Sequence, residues 1–72
     1  MRLLYKTTMG ELRVDSIKKV KLRGSKLVCH SIDDVLLVVM YPSQKDVECA
    51  LLDMAREGFV DAREFSVTME SK

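Results

Sequence analysis

One histidine, two cysteines and eleven carboxylates are the side chains of this 72-residue sequence suited to acid–base, nucleophilic or metal chemistry. His30 directly follows Cys29. In an extended strand neighbouring side chains leave opposite faces, so the two cannot meet as base and nucleophile. No Ser, Cys and acid constellation surrounds His30 at a readable spacing, and a partly buried or interface histidine is the simpler reading. Cys29 and Cys49 form no C-x-x-C pair, and His30 alone is available as a nitrogen ligand, which argues against a zinc site. Asp33-Asp34, with Asp15 or Asp46, could offer oxygen to a cation, but adjacent aspartates are commoner as turn formers and no loop has calcium-site spacing. The isolated glycines Gly10, Gly24 and Gly58 build no phosphate loop. No catalytic, cofactor-binding or metal-ligating residue is therefore assigned, and the chain is not expected to be an enzyme.

The densest chemical signal is basic: Lys18, Lys19, Lys21, Arg23 and Lys26. A hairpin carrying them can follow a phosphate backbone or enter a groove as a two-stranded ribbon, so nucleic acid is a candidate partner. The competing reading is that lysines on a hairpin protect strand edges from unwanted pairing. The nearest aromatics are Tyr5 and Tyr41, too few for a base-stacking platform. Charge is unevenly spread. Residues 1–30 hold eight Lys/Arg against two acids, and residues 31–72 hold four against nine.

The elements that must position these groups centre on the apolar run Val35–Tyr41, which reads as a strand covered on both faces. Pro42 stops it, and Ser43 caps a helix over 43–57 with Asp46 at the capping-box position. Val47, Ala50, Leu51, Met54 and Ala55 fall on one helical face, and Gly58 ends the helix with Phe59 folding back onto Met54. Before the run, two hairpins occupy 1–14 and 19–31. A two-residue Met9-Gly10 turn would set Tyr5 opposite Val14 and Lys6 opposite Arg13, with Leu3, Tyr5, Leu12 and Val14 on one side. A Gly24-Ser25 type II′ turn would set Leu22 opposite Leu27 and Val20 opposite Cys29. Asp15–Lys18 reads as a connection or bulge. If Asp33-Asp34 is a tight turn, Leu36, Val38 and Met40 join Leu27 and Cys29 on the helix-covered face, while Leu37 and Val39 join Val28 and His30 on the other. Glu64–Met69 alternates as a last strand, with a short helix from Asp61 as the alternative.

The expected fold is α+β: one domain over 1–72, with β-hairpins over 1–41, a helix over 43–57 and a strand over 64–69. A small antiparallel sheet of four to five strands, a meander of two hairpins, carries one amphipathic helix on one face. The longest apolar run has seven residues and the N-terminus lacks a signal-peptide core, so a cytoplasmic protein with no membrane contact and two buried, reduced thiols is expected. A domain of about 60 residues buries only ~60% of its unfolded surface, so a second copy is a natural source of stability. One helix covers one sheet face, and Val28, Leu37, Val39 and Tyr41 would then form an apolar interface on the other. The expected activity is that of a protein–protein interaction module, self-associating as a dimer. The alternatives are the basic nucleic-acid module and a small-ligand binder in a cleft between two chains. With hairpin strands, the Tyr41-Pro42-Ser43 junction and then one amphipathic helix, the chain resembles in overall style short proteins of bacteria, phages and mobile elements, which implies an accessory, regulatory or inhibitory role.

Overall fold

The computed structural model describes residues 1–71. Its elements are β1 (Arg2–Lys6), β2 (Leu12–Arg23), β3 (Lys26–Ser31), β4 (Val35–Met40), α1 (Gln44–Glu57), β5 (Phe59–Asp61) and β6 (Ser66–Ser71). They form the expected α+β fold, with one more strand than the upper expectation. The six strands lie in the order β5-β1-β2-β3-β4-β6, antiparallel except for the parallel pair β1–β5. The two edge strands are joined by residues 62–65 alone. Laid flat, edges five spacings apart would be ~24 Å from each other, whereas the connection reaches at most about 18 Å. The sheet therefore curls, bringing its edges towards one corner and its inner face around α1.

The helix forms as its sequence requires. Ser43 is extended (φ −149°, ψ 162°), its Oγ accepts from the Asp46 amide, and its hydroxyl donates to the Asp46 carboxylate at 3.0 Å. Gly58 takes the left-handed conformation at φ 68° and donates to the Met54 carbonyl. Val47, Ala50 and Met54 are buried and Leu51 packs beside them, but Ala55 is exposed, so the apolar stripe is narrower than its spacing suggested.

The hairpins decide which face each strand buries. Gly24 has φ 61°, and the β2–β3 register pairs Leu22 with Leu27 and Val20 with Cys29, as the II′ turn demands. A bulge between Ile17 and Lys19 lets β2 continue from its pairing with β1 to its pairing with β3. The other two hairpins differ from expectation in the same way. Thr7 and Glu11 close a three-residue loop with Gly10 at φ 84°, and Ser31 and Val35 flank another with Asp34 at φ 61°. A left-handed residue in third place is the signature of the three-residue hairpin. One extra loop residue shifts the register by one and reverses every side chain beyond it. Tyr5 thus pairs with Arg13, and Leu12 and Val14 are exposed. Leu27 pairs with Val39 and Cys29 with Leu37, so Leu37 and Val39 lie beneath the helix, while Leu36, Val38 and Met40 face outward.

The C-terminal strand is present as β6, paired with β4; a helix from Asp61 is not formed. The short strand β5 was not anticipated. The thiols are unbridged, but Cys49 is exposed on the helix, contrary to the expectation of two buried cysteines. Among the described residues no helix is long and apolar enough to cross a membrane.

Candidate interaction surface

The outer face of β2, β3, β4 and β6 is built from three cross-strand rows. Opposed residues of antiparallel strands share a face. The first row runs Lys19, His30, Leu36, Glu70; the second Lys21, Val28, Val38, Thr68; the third Arg23, Lys26, Met40, Ser66. The centre of this face is apolar. Val28, Leu36 and Val38 are half-buried only by their neighbours, and Met40 is 42% exposed. Together with Lys26, Thr68 and Glu70 they line a shallow, open depression of about 740 Å³.

Cations border one side of that strip. Lys19, Lys21, Arg23 and Lys26 are exposed, and among the described residues none of them makes an ion pair. Lys18 is different: it occupies the bulge of β2 and holds Asp34 at 3.0 Å. The structure therefore brings four of the five basic residues onto one face and detaches the fifth. His30 sits among them, half-buried between Lys19 and Leu36.

Of the four residues expected at the apolar interface, only Val28 lies on this face. Leu37 and Val39 are fully buried in the core. Tyr41 is also buried, stacked at a tilt against Phe65 with ring centroids 4.4 Å apart. The residues that replace them, Leu36, Val38 and Met40, belong to the same apolar run. Loop length was the signal that would have separated the two sets.

Several polar groups have shifted proton affinities. Burial pushes the Cys29 thiol up to about 12, leaving it protonated at neutral pH. The Tyr5 hydroxyl donates to the Asp15 carboxylate, beside Arg13, and burial followed by that bond pushes the phenol up to about 12. Tyr41 is likewise raised to about 12, chiefly by burial, and among the described residues its hydroxyl has no hydrogen-bond partner. Arg63 forks onto Asp61 at 2.7 and 3.0 Å and holds that carboxyl below its usual range. Among the described residues no three His, Cys, Asp or Glu side chains converge as metal ligands.

No family model matches the chain, and no curated protein or solved structure matches it either.

Proposed function

We propose that this chain is a non-enzymatic protein–protein interaction module that docks, and associates with itself, through the outer face of β2–β3–β4–β6. One observation carries the reading: a solvent-facing apolar strip of Val28, Leu36, Val38 and Met40 on a sheet whose opposite face is covered by α1. Contiguous exposed apolar surface on a small domain is the ordinary mark of a docking site. The resemblance in style to short proteins of bacteria, phages and mobile elements implies an accessory, regulatory or inhibitory role, which suits a cytoplasmic module that works by occupying a surface.

The test is Val38→Asp against Val39→Asp. Sedimentation velocity is expected to show loss of association for Val38→Asp with its circular dichroism unchanged. Val39→Asp, which places a charge beneath the helix, is expected to unfold the chain. Association untouched by Val38→Asp would sink the reading.

A second reading rests on the four cations. Their common face supports contact with a phosphate backbone by Lys19, Lys21, Arg23 and Lys26, without Lys18. Neutralising four duplex phosphates gives a slope of about −3.6 in log affinity against log salt. Lys19→Glu with Lys21→Glu is expected to abolish such binding; duplex binding insensitive to both would exclude it.

A further inference from the structure

The shape and charge of the outer face select the chemistry of what docks on it. The following rests on the docking reading above. The sheet curls around α1 until β1 meets β6, so its outer face is convex across the strands. A broad flat partner would touch only a ridge of it. Along the strands the face is least curved, and an elongated partner laid in that direction keeps contact over its length. The surface relief runs the same way. The depression along β4 passes through all three rows, and a second one of about 270 Å³, between β2 and β3, shares Arg23, Val28 and Leu36 with it. Together they make a shallow apolar trough with cations on its β2 side.

The charge is one-sided. The three rows hold four cations, Lys19, Lys21, Arg23 and Lys26, against the single carboxylate of Glu70. Opposite potential is what suits such a rim. Phosphates could answer the cations, but they would leave Val28, Leu36, Val38 and Met40 facing water, and the rows contain no aromatic on which a base could stack. A segment with both acids and apolar residues answers both halves of the surface. An extended segment lying on a sheet face finds no free backbone groups there, whereas a helix satisfies its own. We propose that this face receives an amphipathic α-helix of another protein, laid along β3 and β4, with its apolar stripe in the trough and acidic residues on the side facing β2. The spacings agree. Lys19, Lys21 and Arg23 follow one another at about 6.7 Å along β2, and helix residues four apart rise about 6 Å. Six-residue β4 is matched by about 13 helical residues.

The experiment is selection of a phage-displayed library of helical peptides, randomised on one face, against the full wild-type chain. Enriched peptides are then synthesised and their binding measured by fluorescence anisotropy to the wild type, to Val38→Asp and to Lys21→Glu with Arg23→Glu. Circular dichroism checks that each variant is folded, and a short DNA duplex is titrated in parallel. Enriched peptides are expected to carry apolar residues at helical spacing with Asp or Glu along one side. Their binding is expected to be lost in Val38→Asp and about tenfold weaker in the double variant, where attraction becomes repulsion at two rim contacts. Peptides that depend on Val38 but are neutral or basic would overturn the acidic helix and leave the docking face standing. Peptides indifferent to Val38→Asp would overturn both. No enrichment would overturn the helix, and a duplex bound by the wild type but released by the double variant would then assign the face to phosphates.

Discussion

At the scale of single residues, the two buried tyrosines form a natural contrast. Tyr5 is 2% exposed and Tyr41 8%, yet among the described residues Tyr5 alone of the two has an acceptor for its hydroxyl proton. A hydrogen bond to a charged acceptor contributes more than a neutral one, whereas an orphaned buried hydroxyl costs its full desolvation. Tyr5→Phe is therefore expected to destabilise the fold by about 1–2 kcal/mol, and Tyr41→Phe to stabilise it by about 1 kcal/mol. Urea denaturation of the two variants measures both; a loss on Tyr41→Phe would show that its hydroxyl is satisfied. The Asp15 bond also explains why Tyr5 tolerates polar neighbours. The register places it beside Arg13 and Asp15 instead of the apolar Val14.

At the scale of elements, the loop between β3 and β4 determines which half of the apolar run becomes core. Ser31 organises that loop. It is buried, and its Oγ accepts from the amides of Asp33 and Val35 at 3.2 and 3.1 Å. With those two bonds the chain passes through Asp34 in the left-handed region and enters β4 with Leu37 and Val39 pointing inward. Ser31→Ala leaves both amides without that acceptor and is expected to cost about 1–2 kcal/mol, read as a lower urea midpoint. Hydrogen exchange is expected to quicken first at Asp33 and Val35. Unchanged exchange there would mean that the backbone alone sets the loop.

For the molecule as a whole, the buried acids set an alkaline limit on stability. Cys29 rises from 9.0, and Tyr5 and Tyr41 from 10.0, each to about 12. A folded pKa above the unfolded one means that, between the two values, the unfolded chain holds fewer protons than the folded chain. Stability then falls as pH rises. The contribution is complete below about pH 9 and drains away between pH 9 and 12. A pH series of urea midpoints is expected to be flat with respect to these groups near neutrality and to drop through that window. The drop is expected to be smaller in Tyr41→Phe, and an equal drop would place the titration elsewhere.

The helix was legible from cap to cap, because Ser43, the apolar stripe and Gly58 are local signals that agree. The β2–β3 hairpin was legible for the same reason, with Gly24 demanding one turn and one register. The sequence also marked the basic residues and the apolar run from which the outer face is made. Which members of that run face the helix was settled by the folded loop between β3 and β4. Asp33-Asp34 is compatible with loops of either length, and one residue of loop exchanges Leu37 and Val39 for Leu36 and Val38. The position of β5 was equally hidden, since three residues are too few to show a period and their pairing with β1 depends on the curl of the sheet. The bulge that separates Lys18 from the other cations was legible as well, because Ile17 and Val20 differ in parity across it. Periodicity identifies what a strand can bury; the loops and the closed packing around α1 select which side it does.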